Sequence, residues 1–233
     1  MFTIPKALLC NSSAYFKAAL NGPFIEGQTQ TIDLDDEDPS IFRTYVAWLY
    51  QGQLNSQDIQ EELDDPQDFD LHIAELIVFA DKRDIGELKN DAISMLLNYL
   101  HSVTCPAAVD AINYIYNMPR SKEINELRRV LAHEEVWFGQ RLEKKIDHWH
   151  PEFLTRIIKV YKRHQFPSVR LLDSCFTHPS SLCALMHRHT PGASNCLSLM
   201  KNRYNPALPP DQQPPSKKRK VGPSTQNVEV LID

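Results

Sequence analysis

FTIPKALLCNSSAYFKAALNGPFIEGQTQTIDLDDEDPSIFRTYVAWLYQGQL, residues 2–54, is the stretch whose reading decides the fold. Phe2-Thr3-Ile4 carries a short apolar strand signal. Leu8, Leu9, Ser13, Phe16, Ala19 and Leu20 then recur at helical spacing, which predicts one buried stripe. Asn21-Gly22-Pro23 stops that helix, with Gly22 free to take a positive φ and Pro23 unable to continue. In residues 29–34, Ile32 and Leu34 alternate with polar residues, the period of a half-buried strand. Asp38 before Pro39 reads as an N-cap followed by a first-turn proline. The helix it opens carries Ile41, Phe42, Tyr45, Val46, Leu49 and Tyr50, and Gly52 ends it.

Outward from this stretch the pattern is helical. Residues 57–70 are dense in acids, contain Pro66 and predict an exposed loop. Leu71, Ile73, Leu76, Ile77 and Ala80 form one apolar face; Ile85, Leu88, Ala92, Met95, Leu96 and Tyr99 form another. Pro106 opens a helix with Val109, Ile112 and Ile115 that Pro119 ends. Ile124, Leu127, Val130, Leu131 and Trp137 mark the next helix, and Pro151, Phe153, Leu154, Ile157, Ile158 and Tyr161 a third, closed before Pro167. From Asn205 to Ser224 six prolines and few apolar residues predict a disordered tail, since burial there cannot offset chain entropy.

Composition narrows the function class. No apolar run approaches a membrane span, and the N-terminus lacks the regions of a signal peptide. Cys10, Cys105, Cys175, Cys183 and Cys196 are odd in number with no paired spacing, which argues for reduced thiols in a cytosolic or nuclear compartment. Residues 1–100 hold 6 Lys or Arg against 18 Asp or Glu, net −12, whereas residues 101–233 hold 19 against 12, net +7. An acidic N-terminal half argues against phosphate-backbone binding there.

The order Phe2-Thr3-Ile4, Pro5-Lys6-Ala7-Leu8-Leu9-Cys10, Ser13, Tyr15-Phe16 and Trp48-Leu49-Tyr50-Gln51-Gly52 resembles the BTB (POZ) domain, particularly its fungal branch. Ala80 to Ile85 followed by Leu88-Lys89 resembles the paired helices that end such a domain, so the resemblance runs from Phe2 to about Leu100. Pro5 stands where the family usually has a histidine, and the family usually has a further strand and turn before the position of Phe2. That strand is expected to be missing, through a fragmentary or misassigned start or as an unpaired sheet edge open to other chains. The resemblance implies a helical cluster with a small sheet lacking its first strand over 1–104; with the all-helical extension that the apolar spacing predicts over 105–200 and the disordered tail that composition predicts over 201–233, the expected fold is α+β.

The resemblance also implies a non-catalytic interaction module that pairs with another BTB domain, its own or a different one. Either a ubiquitin-ligase adaptor or a transcriptional regulator would fit. In cullin adaptors of the family an apolar residue, any residue and a glutamate follow the leucine-rich helix; Phe24-Ile25-Glu26 stands there, and Tyr45 and Tyr50 are the aromatic anchors on the neighbouring helix.

No glycine-rich phosphate loop or nucleophile elbow is present, so no catalytic residue and no cofactor is assigned. Cys175, His178, Cys183 and His187, with His189 and Cys196 nearby, are spaced closely enough for one zinc ion, but their order matches no paired-ligand framework, and no metal is assigned. A zinc-dependent or nucleic-acid-binding nuclear protein built on the basic half is the alternative reading. Lys217-Lys218-Arg219-Lys220, flanked by proline, reads as a nuclear localisation signal for importin α, and the expected compartment is the nucleus, with the cytoplasm as alternative.

Overall fold

The computed structural model describes residues 1–103, 107–138, 146–164 and 227–232. In chain order these form β1 (Phe2–Pro5), α1 (Lys6–Ser12), α2 (Ala14–Asn21), α3 (Ile25–Thr29), β2 (Thr31–Asp33), α4 (Pro39–Gln51), α5 (Ser56–Glu62), α6 (Phe69–Lys82), α7 (Gly86–Ser102), α8 (Val109–Asn117), α9 (Lys122–Phe138), α10 (Pro151–His164) and β3 (Asn227–Leu231). The fold is α+β, mostly helical with one three-stranded mixed sheet.

The sheet corrects the sequence reading of the tail. Its order is β1-β3-β2, so the strand from the far end of the chain is the central one. β3 runs antiparallel to β1, with Phe2 opposite Val230 and Ile4 opposite Val228, and parallel to β2, with Ile32 opposite Val230. One side of β1 is paired with β3 while β1 remains an edge strand of the sheet, and residues 227–231 are not a disordered end. Val228 and Val230 are fully buried while Asn227 and Glu229 are exposed, the alternation that a half-buried strand requires. The proline-rich composition upstream had drawn that short alternating run into one disordered segment. The rest of the tail, with Lys217 to Lys220, and Cys175 to Cys196 lie outside the described residues.

The stripe from Leu8 to Leu20 is buried but is divided between two helices. Ser13 is extended at φ −143° and ψ 127°, and its hydroxyl accepts from the Phe16 amide at 3.1 Å, capping α2. The same hydroxyl donates to the carbonyl of Arg83 between α6 and α7. Asp38 caps α4 as expected, accepting from the Ser40 amide at 2.7 Å, which holds its carboxyl below the usual range. Gly52 ends α4 at φ 74°, in the left-handed region that glycine enters without penalty. The acidic stretch predicted as a loop contains α5, capped by Asn55 and anchored by the buried Ile59.

α4 and α6 pack through an aromatic group, Phe42, Tyr45 and Phe79, and through a buried contact at 2.9 Å between Thr44 Oγ1 and His72 Nε2. Thr44 gives its own proton to the Ser40 carbonyl, so its oxygen accepts from the imidazole. Burial holds His72 below the ordinary histidine range, with Asp38 opposing weakly. Farther on, Arg128 of α9 is buried and donates to the carbonyls of Ile115, Tyr116 and Met118 at 2.7–3.2 Å, closing the C-terminal end of α8.

Three measurements check this account. Val230→Ala should lower stability by about 2 kcal/mol, and Glu229→Ala by less than about 0.5, in urea denaturation of the full chain. Arg128→Met should cost about 3 kcal/mol, because it orphans three carbonyls. A histidine depressed in the folded state contributes stability that is present above its unfolded pKa, near 6.5, and is lost as pH falls below it. The drop in urea midpoint between about pH 7.5 and about pH 5.5 should therefore be smaller in His72→Gln than in the wild type.

Candidate protein-interaction surface

The segment joining α2 to β2 is held by polar groups from both sides. The Leu20 carbonyl accepts from Lys6 Nζ at 2.9 Å and from Gln30 Nε2 at 3.3 Å, and the same amide of Gln30 donates to Gly27 at 2.7 Å. Gln30 itself is left-handed at φ 56° and ends α3. Gly22 is extended, with φ −81° and ψ 179°, so the positive φ expected from sequence is not what the turn uses. What it uses is space: a Cβ on Gly22 would lie 2.5 Å from the Ala18 carbonyl oxygen and 2.8 Å from the Phe24 ring. A Cβ on Gly27 would lie 2.4 Å from the Gly22 carbonyl oxygen. Two side-chain-free positions thus let α3 fold back against the end of α2.

The consequence is an exposed apolar pair. Phe24 and Ile25 are 57% and 66% exposed, and Glu26 follows them in the first turn of α3. Phe24 does not plug the core. Tyr50, in the last turn of α4, is 47% exposed. Tyr45 is a correction: it is fully buried against Phe16, Phe42, Trp48 and Phe79, and its hydroxyl pairs with Ser12 at 2.7 Å. Position on α4 decides between the two tyrosines, since five residues turn a side chain well over 100° around the axis. Of the four residues expected to meet a partner, Phe24, Glu26 and Tyr50 remain in play, and Tyr45 belongs to the core.

A charged junction ties the α6–α7 corner to the acidic turn before α4. Arg83 reaches Glu37 at 2.9 Å, both side chains nearly buried, and its guanidinium lies 5.0 Å from the ring centre of Tyr15. Lys89 meets Asp81 at 2.9 Å. Arg83, with Lys82, thus binds the helix pair to the acidic turn before α4, while Lys89 and Asp81 join α7 to α6. Sequence reasoning did not assign roles to Lys6, Gln30 or Glu37, because their partners are backbone or lie 46 residues away.

A concavity of about 830 Å³ lies between α6 and α8, with Leu71, Val78 and Met118 beside Glu75, Asp81 and Asp110. Burial pushes the Glu75 carboxyl up, against a hydrogen bond from the Tyr114 hydroxyl. Among the described residues no cluster of His, Cys, Asp or Glu could hold a metal ion, and no helix is long and apolar enough to cross a membrane.

The family model for the BTB/POZ domain matches residues 1–76. Residues 1–76 are a BTB/POZ domain. The matched part runs from β1 into the middle of α6 and includes neither α7 nor β3, although β3 completes the sheet of this BTB/POZ domain. No curated protein and no solved structure matches the chain. A BTB/POZ domain is a protein–protein interaction module, and such domains typically self-associate or bind cullins.

If the turn is held as described, Gly22→Val should lower stability by about 2 kcal/mol or more through the clash with the Ala18 carbonyl. Phe24→Ser, which removes an exposed ring, should leave it within about 0.5 kcal/mol. Thermal unfolding of the full-length variants reads both.

Proposed function

We propose that this chain is a non-catalytic association module whose BTB/POZ domain pairs with another BTB domain, its own or a different one, and holds a cullin as a ubiquitin-ligase adaptor in the nucleus. The observation that carries the adaptor reading is the exposed Phe24-Ile25 pair beside Glu26, held outward on a turn that two tight glycines and two polar clamps define. An apolar side chain kept rigidly in water loses little conformational freedom on binding, which is how interface anchors gain affinity. The acidic surface of residues 1–100 favours protein over nucleic acid as the partner. The fungal character rests on the residue order from Phe2 to Gly52, and nuclear entry on Lys217 to Lys220. Among the described residues, transcriptional regulation has no comparable surface feature in its favour.

Capture of a cullin N-terminal domain tests the adaptor reading. Glu26→Lys and Phe24→Asp should each weaken capture by roughly 10-fold or more, the loss expected of a central contact, and capture equal to wild type would remove this segment from the site. Light scattering should show the full chain self-associating; residues 1–105 alone are unsuitable because they lack β3. A reporter fused to residues 205–233 should enter the nucleus, and alanine at Lys217, Lys218, Arg219 and Lys220 should keep it out.

A further inference from the structure

The concavity between α6 and α8 is built from one face of each helix. On α6, Leu71, Glu75, Val78 and Asp81 recur three and four residues apart, a stripe about 15 Å long at the rise of an α-helix. On the other side stand Asp110 and Tyr114 of α8, with Met118 at its C-terminal end. α8 is held there from outside. The buried Asp70 carboxyl accepts from the Ala108 amide at its start, and the Asn113 side chain donates to the His148 carbonyl at 2.8 Å and accepts from the His150 amide at 2.9 Å. The trough is thus formed without a ligand. Its volume, about 830 Å³, falls within the roughly 300–1,000 Å³ of small-molecule sites, and Leu71, Val78 and Met118 supply apolar surface.

Its charge is one-sided. Asp81 is matched by Lys89 at 2.9 Å, and Lys82 reaches away to Asp36 and Glu37 at 3.7 and 3.5 Å. Among the described residues, Glu75 and Asp110 have no cation within ion-pair distance, and the group that hydrogen-bonds Glu75 is the neutral Tyr114 hydroxyl. The Glu75 charge, ahead of burial, holds that hydroxyl above the usual tyrosine range, with Asp38 and Asp110 adding to it. A field that opposes a phenolate favours a cation at the same spot. The Tyr114 ring, 44% exposed, offers its face to one as well.

We propose that this concavity binds a small organic cation, an ammonium or guanidinium on an apolar body, with Glu75 and Asp110 holding the charge, Tyr114 beside it and Leu71, Val78 and Met118 packing the body. The site shares no residue with Phe24, Ile25 and Glu26, so it goes beyond the adaptor reading. It exists only because α8 packs on α6, and Val78, Asp110, Tyr114 and Met118 all lie outside the matched residues 1–76.

Calorimetric titration of the full chain with 4-phenylbutylguanidinium, against 4-phenylbutanol as the neutral counterpart, tests it. The cation should bind with a Kd of about 1 mM or below, and at least about 10-fold more tightly than the alcohol. Glu75→Gln keeps the side-chain shape and an acceptor for Tyr114; it should weaken the cation about 10-fold or more and leave the alcohol within about 2-fold. Asp110→Asn, at an exposed position, should weaken the cation by about 3-fold. If the urea midpoint shows that Glu75→Gln has damaged the fold, Asp110→Asn decides. In methionine-methyl-labelled protein, the Met118 signal, assigned with Met118→Leu, should shift as the cation is added. Equal binding of cation and alcohol, a cation unaffected by either variant, or a bound cation that leaves Met118 unmoved overturns the proposal. So does binding of a capped tripeptide with arginine between two leucines when the small cation does not bind, which would assign the trough to a protein segment.

Discussion

The backbone pairing of Asn227–Leu231 with both β1 and β2 is the constraint on which the rest of the domain depends. β1 has four residues and β2 three, and two such strands do not touch each other. Short unpaired strands have no stability of their own in water. With β3 between them they are held at a fixed separation, and each feeds directly into the helical layer. β1 turns at Pro5 into α1, and β2 leads through the capped Asp38 into α4.

Polar contacts then lock the layers in a way apolar packing alone would not. Ser13 caps α2 and reaches the α6–α7 junction; Arg83 spans from that junction to Glu37; Lys6 and Gln30 converge on one carbonyl at the end of α2. Such bonds are directional, and a buried donor or acceptor left without its partner is costly. Arg128 plays the same part in the extension, where it satisfies carbonyls that the end of α8 leaves open. The candidate interaction surface is thus an exposed apolar pair on a turn held by polar contacts.

Much of this was legible because it is local. The Asp38-Pro39 cap, the glycine that ends α4 and the apolar faces of α6, α7, α8 and α9 follow from neighbours within a few residues, and periodicity reports them. What periodicity could not report is where one helix becomes two. Leu8 to Leu20 keeps its apolar spacing across Ser13, and the break appears only because the Ser13 hydroxyl has a better use against Arg83 and the Phe16 amide. Tyr45 was misplaced for a similar reason: on a helix with aromatic residues on several faces, only the position of Phe79 and Phe16 says which face is inward.

By itself, then, the chain's order of residues determined an α+β domain of the BTB/POZ kind and the helices α8 to α10 that follow it, because each is written in short-range pattern. Only the tertiary structure decided that the central strand of the sheet comes from the other end of the chain, that Phe24 faces water and that Tyr45 does not. The physical reason is one of range: alternation in Val228-Glu229-Val230 says that a strand is possible, but a strand exists only where partners complete its hydrogen bonds, and here they lie more than 190 residues away along the chain.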